Sequence, residues 1–450
     1  MSLHSGLMQR EAAGRPIRIG VIGAGRFGTM FLSQVQFTPG MQVAGVAELN
    51  PQKAKDACVS VGWPEEAITF GDSASAVNEG SKNGKIVLTE NANDLIQADV
   101  DVICEITGDP EAGARFAWNA LDEGKHVVMV NVEADALLGW ALRRKADTTG
   151  LVYSMAYGDQ PALILEQIDW ARTAGFEVVC AGKGTKYQPE YHYSTPETVW
   201  EHFGFSADSV PQELNPQMHN SFIDGTKSAI EMCAVANGSG LAPQKCGLHF
   251  EPVGVRELAE KLKPRSDGGI LEHSGTVDVV ASEHRDGKPV EGDIRWGVFV
   301  VIKAPTDYVK SCFLIYGFGP DSTFEYSSLY RPVHLIGLEL GISVASACLR
   351  NEPTGSTKSF VADVASVAKR DLKPGDVLDG EGGYCVFGRL VPAGQSVQAG
   401  YLPIGLTNKA KIVRSVKKDA VLTYADVEID QTMFAYGLRK SMEDNLLKGQ

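Results

Sequence analysis

Three groups of polar residues in the middle and later parts of the chain have the types and spacing that chemistry needs. The first lies in Phe222-Ile-Asp-Gly-Thr-Lys-Ser-Ala-Ile-Glu-Met-Cys-Ala-Val-Ala-Asn237. If that stretch is helical, a rotation of about 100° per residue puts Asp224, Lys227 and Glu231 on one narrow polar stripe opposite Ala229, Ile230, Cys233 and Ala236. A lysine held between two carboxylates can take up a hydroxyl proton and place positive charge beside a developing oxyanion, which are the two demands of oxidising an alcohol by hydride removal. The same spacing also describes a solvated helix face with an ordinary Lys–Glu pair.

The second group is Ala181-Gly-Lys-Gly-Thr-Lys-Tyr187, which follows a short apolar run and precedes Tyr191, His192 and Tyr193. Glycines flanking Lys183 are expected to expose backbone N–H groups, so that Lys183 and Lys186 bind phosphate or polarise a carbonyl; a plain surface turn has the same pattern. The third is Tyr330-Arg-Pro-Val-His-Leu-Ile-Gly-Leu-Glu339, where Arg331 and His334 precede an apolar helix expected over 335–349 and Glu339 interrupts it. Lys183, Arg331 and His334 are expected to grip the anionic end of a small substrate, with Lys186, Glu339 and Asn237 also expected to bind it, although a lone buried histidine is more often a satisfied core residue.

The element that must position a partner for these groups stands near the start. Ile17-Arg-Ile-Gly-Val-Ile-Gly-Ala-Gly-Arg-Phe-Gly28 is a β-branched run ending in glycines, and Phe27, Met30, Phe31, Leu32 and Val35 then recur at helical spacing. Strand, tight turn and helix with G-x-G-x-x-G is a dinucleotide fingerprint: Gly23 permits the turn, Gly25 admits a pyrophosphate to the backbone, and Gly28 lets helix and strand pack. Arg26 and Phe27 open the helix, whose unpaired N–H groups face phosphate. Glu48 ends the next apolar run, about 20 residues on, where a carboxylate accepts the ribose hydroxyls of NAD and repels the 2′-phosphate of NADP. NAD is therefore expected, with NADP less favoured; Lys53 and Lys55 downstream read as solvated. Further apolar runs at 85–88, 101–104, 126–130 and 151–155 alternate with helical patterns, which argues a doubly wound parallel sheet of Rossmann type. Thr107 and Gly108 after one strand, and Asn131 and Glu133 after the next, are expected to border the nicotinamide, Asn131 or Glu133 having the simpler alternative of capping the following helix.

At 450 residues the chain exceeds one ordinary core. The expected order is a tail over 1–16, the nucleotide domain over 17–158, an α+β substrate and dimerisation domain over 159–355, and a small all-β domain with a C-terminal tail over 356–450. The second domain is expected to contain strands at 276–281, 296–302 and 312–316 in a mixed or antiparallel sheet. A net charge of −14 argues against a nucleic-acid or anionic-membrane surface. Eight scattered cysteines without metal-ligand spacing fit free thiols in a reducing cytoplasm, and neither a secretory leader nor a membrane-length apolar run is evident. A metal remains open: Asp224, Glu231 and Glu339 offer oxygen ligands.

Taken together, Gly20-Val-Ile-Gly-Ala-Gly25, Gly124-Lys-His-Val-Val128, Asn131-Val-Glu-Ala-Asp135, Ala181-Gly-Lys-Gly184, Phe222-Ile-Asp-Gly225 with Lys227 and Glu231, Arg331-Pro with His334-Leu335 and Leu338-Glu339, and Pro374-Gly375 through Gly383-Tyr-Cys385 resemble the homoserine-dehydrogenase-like oxidoreductases that carry a C-terminal SAF domain. The resemblance implies an enzyme with a β-clip-like SAF module at its C-terminus. Among such proteins the type II reductoisomerase rearranges and reduces 1-deoxy-D-xylulose 5-phosphate with NADPH and a divalent cation. Two departures steer the expectation elsewhere. Glu48-Leu-Asn50 stands where NADPH would call for basic residues, and Val130-Asn-Val132 lacks the lysine that classical homoserine dehydrogenases place after the fifth strand.

The expected function is thus NAD-linked hydride transfer on a small hydroxylated, anionic metabolite, a polyol, sugar or sugar phosphate, by a homodimer or higher homo-oligomer. Lys227, Asp224, Glu231 and Lys183 are its expected catalytic residues. The alternatives are a metal-dependent reductoisomerase, a homoserine dehydrogenase, and a non-catalytic NAD-binding sensor or scaffold.

Overall fold

The computed structural model describes residues 2–205 and 214–448. The expected pocket-shaping loop over 184–222 is thereby described only in part, residues 206–213 lying outside the described residues. The chain forms two compact units, residues 1–163 with 335–356, and residues 164–334 with 357–450.

In the first unit, α1 (Leu3–Ala12) precedes β1 (Ile17–Ile22), α2 (Arg26–Val35), β2 (Met41–Ala47), α3 (Pro51–Ser60), β3 (Ile68–Phe70), α4 (Ala74–Lys82) and β4 (Ile86–Thr89). Then come α5 (Ala92–Ile96), β5 (Val102–Glu105), α6 (Pro110–Asp122), β6 (His126–Met129), α7 (Val132–Thr149) and β7 (Tyr153–Met155). The strands form one parallel sheet in the order β3-β4-β2-β1-β5-β6-β7. Strand order reverses at β1, whose neighbours β2 and β5 continue in opposite directions, so a crevice opens beyond the carboxyl ends of these three strands. The polar stretch Gly62–Gly84, which the sequence suggests as an interruption, supplies the edge strand β3 and the covering helix α4. Phe70 is exposed on that edge.

α8 (Gln160–Thr173) leads to the second unit, with β8 (Glu177–Thr185), α9 (Val199–Phe203), α10 (Pro216–Ile223), α11 (Thr226–Ser239), β9 (Glu251–Pro252), α12 (Leu258–Lys261), β10 (Thr276–Ala281), β11 (Val298–Lys303), α13 (Asp307–Tyr316) and β12 (Tyr326–Arg331). Its sheet runs β12-β11-β8-β10-β9 and is mixed: β11 is antiparallel to both neighbours, and β10 is parallel to β8 and β9. The strand expected over 312–316 is instead the end of α13. Thr306 caps that helix by accepting from the Val309 N–H, and Gly317 closes it in the left-handed region, signals a five-residue apolar run does not carry.

The chain then returns to the first unit. The helix expected over 335–349 begins only at α14 (Gly341–Arg350), after a turn in which Gly337 takes φ +71°. Leu340, Val344 and Ala345 join the core of the parallel sheet. The C-terminal module follows in the second unit, with β13 (Ala362–Ala368), β14 (Val386–Pro392), α15 (Ala393–Ala399) and α16 (Phe434–Leu447). β13 and β14 pair antiparallel. Arg439 on α16 is wholly buried; its guanidinium donates to Asp363 Oδ2 at 2.6 Å and Glu443 Oε1 at 2.8 Å, and Asp363 also accepts from Ser396 Oγ at 2.6 Å. No disulfide joins any of the eight cysteines, and Cys246 alone is exposed. Among the described residues no helix is long and apolar enough to cross a membrane.

Removing one member of a buried charge network leaves the rest desolvated and unmatched, at about 3–5 kcal/mol. Arg439→Met is accordingly expected to cost about that much in urea-induced unfolding, far more than Arg370→Met in the exposed pair with Asp376.

Candidate functional site

In the first unit the glycine loop has the close fits its fingerprint requires. A Cβ on Gly28 would stand 2.5 Å from the Gly23 carbonyl oxygen, and one on Gly23, at φ +102°, would stand 2.9 Å from the Ile106 carbonyl oxygen. A Cβ on Gly25 would meet nothing within 4 Å, so the space above it is open. Gly25 is also the N-cap of α2 and offers no side chain to the first N–H groups of the helix. Those donors are oriented for a pyrophosphate. Arg26 is exposed, whereas Phe27 is half-buried against the core.

Glu48 is half-buried at the end of β2, and its Oε2 accepts the Ala24 N–H at 2.9 Å. This bond ties the carboxylate to the glycine loop and leaves Oε1 for a ribose hydroxyl. Lys55 donates to Glu65 at 2.7 Å and is engaged there, while Lys53 is exposed.

Thr107, Gly108, Asn131 and Glu133 follow β5 and β6 as expected. Asn131 is buried and caps α7, its Oδ1 accepting from the Ala134 N–H at 3.0 Å while Nδ2 donates to the Asp109 carbonyl at 2.9 Å and lies 3.3 Å from Thr107 Oγ1. Thr107 is half-buried, Gly108 exposed at φ +73°, and Glu133 half-buried in the first turn of α7. The residue that organises this end is one the sequence reading passed over. Glu105, the last residue of β5, is fully buried, and its Oε1 accepts the Thr107 N–H at 3.0 Å. Burial pushes its carboxyl up to about 7, against the hydrogen bond from Thr107 and the nearby Asn131 amide, which favour the charged form.

In the second unit α11 is covered on two sides, packing on β8 and β10 and on β13 and β14 of the C-terminal module. Twelve of its fourteen residues are buried. The expected polar stripe is therefore not a solvated face. Glu231, 3% exposed, forms an ion pair with Lys183, 4% exposed. Lys227 is half-buried one turn earlier on the same helix. Asp224 does not belong to the stripe, because Gly225 at φ +85° separates α10 from α11 and leaves Asp224 as the cap of α10. Its carboxylate accepts the Thr226 N–H at 2.9 Å and pairs with Lys369 Nζ at 2.7 Å. The arrangement of one lysine held by both carboxylates is thus replaced by separate pairs, Glu231 with Lys183 and Asp224 with Lys369.

Lys369 comes from the module and is buried, donating also to the carbonyls of Ser194 at 2.8 Å and Gly383 at 2.7 Å. Asn220 bonds the Ser194 and Gly382 carbonyls at 2.9 and 2.8 Å. No local pattern marked Lys369, since only the fold brings it to Asp224. Beside it, His192 Nδ1 lies 2.7 Å from the Asp224 carbonyl and Nε2 2.9 Å from Tyr187 Oη. The carbonyl fixes the proton on Nδ1, so Tyr187 donates to Nε2, and burial holds the imidazole below its ordinary range and neutral.

The remaining expectations sort by what each side chain touches. The glycines around Lys183 do not expose N–H groups to a ligand. β8 is a central strand, and a Cβ on Gly182 or Gly184 would collide with the Asp278 or Ile294 carbonyl oxygen at 1.8 and 2.2 Å. Lys186 pairs with Glu283 at 3.1 Å. Asn237 is buried, its Oδ1 accepting from the Val361 and Ala362 N–H groups at 2.9 Å each, so its amide is spent holding the start of β13 to α11. Arg331 ends β12, and His334 Nδ1 lies 2.7 Å from the Trp296 carbonyl. Glu339 belongs to the first unit, where its Oε2 accepts the Leu335 N–H at 3.2 Å. Among the described residues no group of three or more His, Cys, Asp or Glu side chains is placed to hold a metal, and Asp224, Glu231 and Glu339 form no such group.

Comparison with known proteins follows this geometry. Residues 23–154 match the family described as homoserine dehydrogenase, NAD binding domain, and residues 158–340 match the family described as oxidoreductase DRL, catalytic domain. A search of the curated proteins found no match. Solved structures that are similar include the WlbA dehydrogenase of Bordetella pertussis in complex with NADH and UDP-GlcNAcA, at 15% identity and TM-score 0.27 over 40% of this chain and 50% of that one. They also include scyllo-inositol dehydrogenase of Lactobacillus casei with NAD(H) and scyllo-inositol, at 13% identity and TM-score 0.36 over 76% and 92%. A putative oxidoreductase of Klebsiella pneumoniae matches at 16% identity and TM-score 0.37 over 76% and 88%. The chain thus spans about half the length of the Bordetella protein.

Glu105 fixes the sign of one pH effect. Its folded value of about 7 lies above the ordinary 4.5, so between those pH values the folded chain holds a proton that the unfolded chain has lost. The resulting stabilisation is complete below about pH 4.5 and lost as pH rises to about 7, a span of about 3 kcal/mol. Glu105→Gln, which cannot ionise, is expected to raise Tm relative to wild type more at about pH 8 than at about pH 5, read by calorimetry.

Proposed function

We propose that this chain, of which residues 23–154 match the homoserine dehydrogenase NAD-binding domain and residues 158–340 the oxidoreductase DRL catalytic domain, is an NAD(P)-dependent oxidoreductase that oxidises or reduces a small hydroxylated, anionic metabolite with NAD in preference to NADP. The observation that carries the reading is the buried Lys183–Glu231 pair beneath Lys227. An ion pair sealed between sheet and helix contributes little net stability, and apolar residues of the same volume would serve a core as well or better. Its presence one helical turn from a half-buried lysine is best accounted for by chemistry.

The division of labour follows the two units. Gly23, Gly25, Gly28 and the start of α2 hold the pyrophosphate, Glu48 the ribose, and Thr107, Gly108, Asn131 and Glu133 border the nicotinamide. When bound, the cofactor supplies hydride acceptance or donation. Lys227 binds the reacting oxygen and takes or returns its proton, with Glu231 and Lys183 fixing the field around it. Asp224, held by Lys369, sets the corner between α10 and α11 and so aims Lys227. Arg331, His334 and Lys186 are assigned to the anionic end of the substrate.

Glu48 supports NAD over NADP because its carboxylate, held to the glycine loop through Oε2, would repel a 2′-phosphate. Glu48→Ala is expected to narrow the ratio of NADP to NAD dissociation constants by about tenfold or more, measured by titration calorimetry; an unchanged ratio removes Glu48 from this role.

The activity itself is tested with polyols, aldonates and sugar phosphates, each with NAD and NADP, first by thermal shift and then by following the reduced nicotinamide. A true ligand raises Tm by mass action. With the substrate so found, Lys227→Met is expected to lower kcat about 10²–10⁴-fold while the NAD dissociation constant stays within about twofold. Full turnover in that variant would refute the assignment of Lys227.

A further inference from the structure

The loops after β5 and β6 meet in one buried polar cluster whose centre is Glu105. Oε1 of Glu105 takes the Thr107 N–H at 3.0 Å, and Thr107 Oγ1 lies 3.3 Å from both the Asp109 N–H and the Asn131 amide. Asn131 in turn bonds Asp109 and caps α7. The other oxygen, Oε2, is buried without a hydrogen-bond partner. It lies against Gly113 of α6, where a Cβ would stand 2.8 Å from it and 2.6 Å from Asn131 Nδ2. Room for the carboxylate has been made by omitting a methyl group. A partnerless buried oxygen costs stability, and a methionine or leucine would fill the site without that cost.

We propose that Glu105 is a positioning residue for the nicotinamide, which holds Thr107 and Asn131 in register and, by its charge, makes this chain bind oxidised NAD more tightly than the reduced form. The inference rests on the cofactor placement proposed above and goes beyond it. The oxidised nicotinamide ring carries a positive charge and the reduced ring carries none. A carboxylate in a low-dielectric core directly behind the two bordering loops interacts with the first and not with the second. The other ionisable groups around Glu105 are Glu133 and Asp135 on α7, Asp109 at the start of α6, and Tyr153 on β7, whose phenol donates to Asp135 Oδ1 at 2.9 Å. Glu133 adds its charge to the burial that opposes ionisation of Glu105, and Asp135 acts likewise on Tyr153. With the Glu105 carboxyl pushed up to about 7, the discrimination between the two cofactor forms is present above that pH and fades below it.

The test is the ratio of NADH to NAD dissociation constants, measured by titration calorimetry on the full chain at about pH 6 and about pH 8, without substrate. Neither cofactor form titrates in that window. In the wild type the ratio is expected to rise several-fold from the lower to the higher pH. Glu105→Gln keeps the shape and the acceptor for the Thr107 N–H, and is expected to give one ratio at both pH values. A wild-type ratio that does not change with pH overturns the inference, as does a change of equal size in Glu105→Gln. Gly113→Ala, which crowds Oε2 without removing the charge, is expected to weaken both cofactor forms and preserve the pH trend; a flat ratio there also counts against it. Failure of the wild type to bind either form would instead refute the cofactor placement itself, so the two failures are distinguishable.

Discussion

A charge on a helix that is covered on two sides must be answered by another charge from the elements that cover it, because water is not there to do so. α11 imposes this condition on the whole second unit. Sheet packing on one side brings Lys183 from β8 to Glu231 on the helix, and the C-terminal module on the other brings Lys369 to Asp224, which caps α10 just before it. Each cation comes from a segment far away in sequence, so the two ion pairs fix where β8 and the module lie against the helix. Lys227 is the half-buried basic member of the same helix.

The first unit solves a different problem with the same economy of position. Its parallel strands bury their side chains on both faces, leaving the carboxyl ends as the place where polar groups can gather. The glycine loop, Glu48, Glu105 and Asn131 all stand there, at the reversal of strand order around β1. Glu48 at the end of β2 is half-buried and tied to the loop, while Glu105 at the end of β5 is fully buried. Two carboxylates that close the strands flanking β1 thus differ in environment, and burial drives Glu105 toward neutrality.

What was legible in the sequence was local. The alternation of apolar runs and helical patterns gives the parallel sheet, and the spacing of Gly23, Gly25 and Gly28 gives the turn, because both depend on a few consecutive residues. Glu105 carried the same mark as Glu48, an acid closing an apolar strand, and was overlooked because no motif names it. The run 312–316 was misread as a strand because five apolar residues fit either period, and only the Thr306 cap and Gly317 decide. Asp224 was placed on a helical stripe that Gly225 interrupts. Lys369, Asn237 and the packing role of Gly182 and Gly184 were not legible at all, since each is defined by a partner from a remote part of the chain. Residues 335–355, expected in the second domain, fall with the first unit for the same reason, as nothing local shows that α14 covers the first sheet.

The route of the chain between its units bears on how it can be made. α14, which closes the core of the nucleotide sheet, lies beyond every strand of the second sheet, and Lys369 lies further still. On the ribosome, therefore, the amino-terminal unit cannot finish as a self-contained block while the rest is being synthesised, as vectorial domain folding would have it. Both units wait for residues 341–369, and until these are made the nascent chain keeps an apolar sheet face uncovered and Asp224 without its countercharge. Such a chain is a natural client for chaperones, and it reaches a competent state late and nearly all at once.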